Sequence, residues 1–439
     1  MNLKEKIKHI KDRPFVKDAA ILQVGNFFST FLSFVASVSY ARYLGASNYG
    51  IYSLVFAFVS LLGFINLGSS YSTLTLLSEA YHRQDKEGIK NILTYFVKIS
   101  LIMFFALTLI TIIAAPSIAN IVYKNPQIGI LARFVLIAVF FKIMLDTTVI
   151  LLQVLRKIKT LTIIENFNKV FYIVIPISLV LLGYGLKGVF VGYLTTTILF
   201  LPVSYIIYES LVKKNPLLPS IKEIFLNFRK VKMSYYVKFG ILIGIDKNLG
   251  NYYSSIPLLL AGIFTTTSDI ANFKIAFSYI TLSRVILGPV SRLLSVQLPK
   301  SNVYGSKALK RDFLKASFFS VCISGFITLG LIALAPFLIK FFYGKEFLNS
   351  IKYVYYLIPY GILMGLDVGT AAVFRATKMM KATIKINFFI LLFTLPITYL
   401  LIKHYLIKGL IFANIFLLVS VCVVSFLYLN KALKFRKES

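Results

Sequence analysis

Tryptophan is absent from this 439-residue chain, cysteine occurs twice, histidine three times, and 16 Asp/Glu stand against 48 Lys/Arg. Each scarcity removes a class of function. Cys322 and Cys422 both lie inside apolar runs, which excludes a disulfide scaffold. His9, His82 and His404 fall at or near predicted helix ends or tails, none with a partner at metal-ligand spacing, so neither a histidine zinc site nor a catalytic triad can be assembled. No G-x-x-x-x-G-K-S/T string is present to cradle a nucleotide phosphate. The expectation is a protein that is not an enzyme, with no catalytic residue, cofactor, metal or nucleotide.

The shortage of acids leaves a formal net charge of +32, which in a soluble protein would suggest nucleic-acid binding. Hydrophobicity overrides that reading. Of all residues 58% are hydrophobic and 15% charged, against about 45–50% and ~25% in soluble chains. The excess must be solvated by lipid, so an integral membrane protein is expected and nucleic acid is not a partner.

A membrane-crossing helix needs about 20 mostly apolar residues. Twelve such stretches occur, at 18–41, 48–77, 91–115, 128–153, 163–183, 187–208, 236–262, 268–297, 313–339, 352–375, 384–403 and 406–430. Twelve helices of ~22 residues would use about 264 positions and leave about 15 residues for each connection, too short for an extramembrane domain. The first stretch is too long for a signal-peptide core and reads as a retained anchor. With the N-terminus in the cytoplasm, the inside segments carry 32 Lys/Arg and the outside loops 8. Both termini are therefore expected in the cytoplasm of a multi-pass cell-membrane protein, with anionic lipid as a partner of the basic loops. Tyrosine, 27 residues, supplies the interfacial belt, as at Tyr40, Tyr43, Tyr49, Tyr123, Tyr343 and Tyr353.

The chain matches itself at an offset of 220–221. Ala115-Pro116 with Tyr123 recurs as Ala335-Pro336 with Tyr343, and Asp146 falls on Asp367. Thr162-Ile163-x-x-Asn166-Phe167 recurs as Thr383-Ile384-x-x-Asn387-Phe388, and Lys187-Gly188 as Lys408-Gly409. A near-constant offset at four places indicates duplication. Six helices per half is an even number, so the halves run in the same sense about a pseudo-twofold along the membrane normal. The expected fold is all-α: twelve transmembrane helices in two six-helix lobes. Residues 1–208 would form the N-terminal lobe, 209–235, with Pro216 and Pro219, a cytoplasmic linker, and 236–439 the C-terminal lobe.

Charges inside lipid are costly and face a cavity or a partner. Setting aside charges within two residues of a stretch end, eight cations fall within the twelve stretches, Lys98, Arg133, Lys142, Lys169, Lys247, Lys274, Arg284 and Arg292; the acids set against them are Asp146, Asp246 and Asp367, with Glu165 near the start of its stretch. Lys98, Arg133 and Arg292 lie close enough to a predicted end to snorkel. Lys142/Asp146 and Glu165/Lys169 are i,i+4 pairs that can neutralise themselves. On a continuous 268–297 helix, Lys274 and Arg292 share an azimuth and Arg284 lies about 80° away. These three cations, with Lys247, are the candidate substrate-binding charges for an anionic cargo; pairing with carboxylates is the structural alternative. Gln23, Asn26, Thr30, Ser33, Ser37 and Tyr40 form a polar stripe on the first helix, either interhelical hydrogen bonding or the wall of a hydrated path. Asn248 and Asn251 supply similar cavity polarity on the seventh stretch, beside Asp246-Lys247. Asp246, Asp367 and Asp146 are the candidate ion-coupling carboxylates, and prolines 257, 289, 359 and 396 mark bends.

Residues 41–58, ARYLGASNYGIYSLVFAF, resemble the start of the polysaccharide-biosynthesis flippase family, the O-antigen and teichoic-chain exporters of the multidrug/oligosaccharidyl-lipid/polysaccharide (MOP) superfamily. There an R-x-L-G-x-x-x-Y-G-x-Y-S segment joins helices one and two; here it stands as Arg42, Leu44, Gly45, Tyr49, Gly50, Tyr52 and Ser53. The resemblance implies a V-shaped pair of lobes and alternating access. It further implies that an undecaprenyl-pyrophosphate-linked oligosaccharide moves from the cytoplasmic to the outer leaflet, with a polysaccharide polymerase and glycosyltransferases as further partners. Without a nucleotide site, an ion gradient or the membrane potential would supply the drive. The alternatives are a cation-coupled multidrug exporter of the same superfamily, which would want an acidic cavity, and a non-transporting scaffold of a polysaccharide-assembly complex.

Overall fold

The computed structural model describes residues 14–61, 69–377 and 379–435. The twelve apolar stretches are helical where described, apart from turns at Thr281 and Leu357, and no strand occurs among those residues. Among the described residues, length and apolarity alone qualify six helices as membrane-crossing, or seven if a bent pair, Lys345–Tyr356 with Ile358–Phe374, counts as one span. The chain is a multi-pass membrane protein.

Several helices are too long to be one span. The run Ile158–Lys214 has 57 residues, about 85 Å at 1.5 Å per residue, nearly three times the ~30 Å hydrocarbon core. Left-handed residues divide such runs. Gly183 and Gly185 (φ 92° and 51°) separate Ile158–Leu179 from Gly185–Lys214, and Leu406 (φ 53°) splits Met380–Phe435. Gly45 (φ 73°) splits Pro14–Leu61 inside the 41–58 motif. A residue with a Cβ strains at such φ values, which is why glycine holds most of these positions.

The breaks carry the duplication. Positive φ recurs at Gln84 and Gly305, at Lys124 and Gly344, and at Gly185 and Leu406, pairs separated by 221, 220 and 221 positions. The repeated Lys-Gly dipeptides gain a physical reason from this. Just after the Gly185 and Leu406 turns, Gly188 lies against the backbone of Leu179, and Gly409 against that of Leu401. A side chain at either would collide with the helix the chain has just left.

Contacts divide the chain into two compact units, Met1–Leu44 with Leu62–Asn248, and Gly45–Leu61 with Leu249–Ser439. The chain thus changes unit at the left-handed Gly45, returns to the first unit after Leu61, and changes again within helix Met233–Phe264.

In the first unit a core of Leu77, Ile89, Leu93, Leu151, Leu152, Tyr208, Leu218 and Ile224 sits at the end that carries the basic loops. It absorbs part of the 209–235 segment, expected above to be a linker, which lies within the first unit and is ordered. Ser220 and Glu223 form a reciprocal cap on helix Ile221–Leu226. The Tyr208 hydroxyl donates to the Pro219 carbonyl at 2.7 Å, and Asn227 Nδ2 donates to Asn91 Oδ1 at 2.7 Å.

Two of the predicted intramembrane cations donate to backbone carbonyls. Pro116 has no N–H, which orphans the Ile112 carbonyl four residues earlier. Arg133 Nε donates to that carbonyl at 2.6 Å, and its Nη2 to the Ile113 carbonyl at 3.3 Å. In the second unit the Tyr279 hydroxyl serves the turn before Pro336, donating to the Leu331 carbonyl at 2.7 Å. Lys98 reaches the linker, where Nζ donates to the Phe228 carbonyl.

The 41–58 motif also acquires a local account, within the second unit. Helix two starts immediately after Gly45, and its backbone N–H at Ala46, which has no intrahelical acceptor, donates to Glu346 Oε2 at 2.9 Å. Gly50 lets the Thr267 carbonyl approach, and Ser47 and Thr267 hydroxyls lie 3.0 Å apart. Tyr49 packs edge-on to Phe347, ring centroids 6.2 Å apart.

Candidate functional site

Four helices of the first unit enclose a polar cavity of about 480 Å³. Pro14–Leu61 contributes Gly25, Asn26 and Ser29; Pro126–Val154 contributes Lys142 and Asp146; Ile158–Leu179 contributes Thr162, Glu165, Asn166, Asn168, Lys169 and Tyr172; Gly185–Lys214 contributes Tyr193. Gly25 makes room for it, since a Cβ there would collide with the Thr162 side chain and press on Asn166. The first helix can therefore cross Ile158–Leu179 closely enough to share one wall.

Both i,i+4 pairs meet in this cavity. Lys142 Nζ lies 3.8 Å from Asp146 Oδ1. Lys169 does not close on Glu165; its Nζ donates to Ser29 Oγ at 2.9 Å. Glu165 is exposed to the cavity and has no ion-pair partner among the described residues. Two cations and two acids give the cavity no formal net charge, whereas the intramembrane charges taken as a whole are cationic.

Three buried polar atoms around it have no hydrogen-bond partner among the described residues: Thr162 Oγ1, Asn166 Oδ1 and Asn168 Nδ2. Asn166 Nδ2 is occupied by the Thr162 carbonyl at 2.8 Å, which leaves its oxygen as the free acceptor. Each such atom costs about 1–3 kcal/mol unless something binds it. Tyr172 and Tyr193 stack obliquely beside them at 5.1 Å, and the Tyr172 hydroxyl is held by Thr197 at 2.5 Å. Free donors and acceptors, a carboxylate and a tyrosine pair together can bind a hydroxyl-rich group.

The predicted residues distribute unevenly. Of the first-helix stripe, Asn26 lines the cavity. Thr30 and Ser33 instead donate to the carbonyls of Asn26 and Ser29 of their own helix, at 2.8 and 2.9 Å. Gln23 lies half-buried on the same helix and is not a lining residue. Asn248 is buried and donates to the Gly244 carbonyl at 2.8 Å, while Asn251 is exposed. Asp246, Lys247 and Arg292 fall on described helices, but their side chains lie outside the described residues.

The stripe of three cations on 268–297 is corrected by a helix break. Thr281 ends helix Thr267–Ile280, and a new helix, Leu282–Val303, begins. The Thr281 and Ser283 hydroxyls donate to the carbonyls three residues back, at 3.0 and 2.9 Å, competing with the helical ladder. Azimuths counted through Thr281 therefore do not hold. Lys274, before the break, is half-buried with no ion pair or hydrogen bond among the described residues. Arg284, after it, lies 3.9 Å from Asp367 Oδ2, the pairing given above as the structural alternative.

Asp367 stands on a 3-10 turn, Met364–Gly369. Glycines allow that turn to press on helix Ser306–Tyr343: a Cβ at Gly365 would sit 2.5 Å from the Ser320 carbonyl oxygen. Arg284 and Asp367 are 58% and 41% exposed in their side chains, so the pair lines open surface of the second unit.

Glu165, Lys169 and Asn168 were not among the candidate site residues. Their signal was present as charges and amides at helical spacing on one apolar segment, but which helix faces that segment is a property of the fold.

With this geometry in hand, known proteins are informative. The fold is that of MATE transporters. The inward-facing conformation of a multidrug resistance MATE family transporter of the MOP superfamily superposes with a TM-score of 0.75 at 18% identity, over 94% of this chain and 96% of that one. An outward-facing conformation described in the same words gives 0.68 at 15%, over 98% of both chains. A eukaryotic MATE transporter gives 0.64 at 17%, over 94% and 95%. No curated protein sequence matches the chain. Residues 40–352 match the profile of a family described as polysaccharide biosynthesis protein. That match begins at the 41–58 motif and runs through both copies of the Ala-Pro repeat, so the chain belongs to the polysaccharide biosynthesis protein family, built on the MOP fold.

Proposed function

We propose that the chain is a flippase for a lipid-linked oligosaccharide, an undecaprenyl-pyrophosphate glycan, which it carries from the cytoplasmic to the outer leaflet of the cell membrane. The single observation that carries this reading is the cluster of unpartnered polar atoms, Thr162 Oγ1, Asn166 Oδ1 and Asn168 Nδ2, in a cavity without net charge. Sugar hydroxyls both donate and accept, so a glycan can satisfy all three, and Tyr172 and Tyr193 offer apolar faces for a pyranose ring. Membership of a polysaccharide biosynthesis family supports the same cargo.

Arg284 and Lys274 of the second unit, with Lys247 and Arg292, remain our candidates for the anionic pyrophosphate. Asp146, Asp367 and Asp246 are the candidate coupling carboxylates, because each would exchange a cation or proton with a driving gradient. Both termini would be cytoplasmic, with residues 1–208 and 236–439 moving as lobes about the 209–235 linker.

One observation favours multidrug export. Glu165 presents a carboxylate with no ion-pair partner among the described residues, as a cationic drug would require. A deletion strain separates the two. Loss of surface polysaccharide without a change in drug susceptibility, restored by the wild-type gene, is the result expected of a glycan flippase. Normal polysaccharide with heightened sensitivity to cationic drugs would establish the exporter instead.

A further inference from the structure

Lys98 lies on helix Lys86–Met103, one turn beyond Thr94 and two beyond Asn91, which hold Asn227, and just before the π-helical turn Phe104–Thr108. The Phe228 carbonyl accepts one of its three ammonium hydrogens, at 2.5 Å. Lys98, Leu101, Ile102, Phe105, Ala106 and Phe228 line an open groove of about 520 Å³ in the first unit. Its wall is apolar apart from that one charge, and it opens on the outer surface of a membrane-crossing run, Lys86–Tyr123. An ammonium left there without an anion would be poorly solvated.

The linker beside the groove has matching chemistry. Phe225, Leu226 and Tyr235 are 52%, 68% and 74% exposed, and Lys222, Arg229, Lys230 and Lys232 are exposed among them. Between residues 215 and 238 the only acid is Glu223, whose carboxylate already accepts from the Ser220 N–H at 2.7 Å. Exposed apolar side chains interleaved with cations are the composition of a segment lying in the headgroup layer.

We propose that this groove binds one anionic phospholipid of the adjacent leaflet, with an acyl chain along Leu101, Ile102 and Phe105 and the phosphate between Lys98 and the basic turn Arg229–Lys232. Charge complementarity selects the anionic headgroup: a zwitterionic lipid would bring a quaternary ammonium to a surface already holding several cations. The bound lipid would help hold the linker on the first unit, because Phe228 lines both the groove and the linker. The inference stands on the groove and does not require the cargo proposed above.

The test uses the full chain in neutral detergent, with native mass spectrometry reading retained lipid after addition of phosphatidylglycerol, phosphatidylcholine or a polyprenyl phosphate. Phosphatidylglycerol is expected to be retained about tenfold over phosphatidylcholine. Lys98→Gln should reduce that preference to about twofold, and Lys98→Arg should keep it. If Lys98→Gln does not fold, Arg229→Ser/Lys230→Ser/Lys232→Ser, which alters exposed side chains, should produce the same loss. Equal retention of the two phospholipids, or an unchanged preference in the variants, overturns the proposal. So does displacement of phosphatidylglycerol by an equal concentration of polyprenyl phosphate, which would assign the groove to a lipid carrier.

Discussion

Asp146 and Asp367 occupy equivalent positions of the duplicated chain, and each faces a cation at nearly the same distance, Lys142 at 3.8 Å and Arg284 at 3.9 Å. The partners differ in origin. Lys142 is one turn away on the same helix, whereas Arg284 comes from Leu282–Val303 and ties that helix to the Asp367 turn. Duplication therefore kept an acid in each unit and let its neutralisation diverge.

That divergence predicts different consequences of losing each acid. Asp367→Asn leaves Arg284 without a partner and loosens a contact between two elements; Asp146→Asn removes only a local pair. In a double-mutant cycle on thermal unfolding, Arg284→Gln with Asp367→Asn should show coupling of about 1 kcal/mol, and Lys142→Gln with Asp146→Asn about 0.5 kcal/mol or less. Equal coupling in both would contradict the assignment.

Arg133 should act through a carbonyl rather than through charge. Arg133→Met is expected to destabilise by about 1–3 kcal/mol, because the Ile112 carbonyl loses its donor. Adding Pro116→Ala restores a backbone N–H to that carbonyl, so the double variant should recover part of the loss. Additive destabilisation in the melting curves would rule this role out.

Leu406 occupies a backbone conformation (φ 53°) that its repeat mate, Gly185, adopts as a glycine. Leu406 is about half exposed, so only part of a side chain's packing is lost on removing it. Leu406→Gly should raise stability by about 1 kcal/mol, and Gly185→Leu should lower it by a similar amount. Chemical denaturation in mild detergent measures both, and a destabilised Leu406→Gly variant would be the contrary result.

Hydrogen bonds from the Ser220 backbone N–H and hydroxyl hold the Glu223 carboxyl below its ordinary value. A carboxyl depressed in the folded state stabilises above its unfolded value, about 4.3, and that contribution is lost as pH falls through the folded value. Amide-exchange protection at 221–226, corrected for intrinsic rates, should therefore fall on acidification below that value. In Glu223→Gln the fall should be absent; an identical fall in the variant would assign the effect to another group.

Much of the fold was legible because hydrophobic run length and duplication are properties of the chain itself. The four matched motifs led to the offset at which the left-handed turns recur, and Lys187-Gly188 and Lys408-Gly409 mark close returns after two of them. The site was less legible, since it depends on which helices become neighbours. Lys142/Asp146 and Glu165/Lys169 looked like two self-neutralised pairs, and the fold placed them in one cavity where Lys169 turns to Ser29. The cationic stripe failed for a different reason: three-residue hydroxyl bonds at Thr281 and Ser283 interrupt the helix along which azimuths had been counted. Arg133 could not be told from a snorkelling cation until the carbonyl freed by Pro116 was found within its reach.

The central claim, that the first-unit cavity receives a glycan, is tested most directly by translocation of a fluorescent lipid-linked oligosaccharide in proteoliposomes under an imposed potential. Wild-type protein should move it, and Asn168→Leu with Thr162→Val, which removes the unpartnered donor and a hydroxyl while keeping side-chain volume, should slow translocation at least about tenfold with the fold intact by melting temperature. Unaltered translocation by that stable double variant would contradict the account.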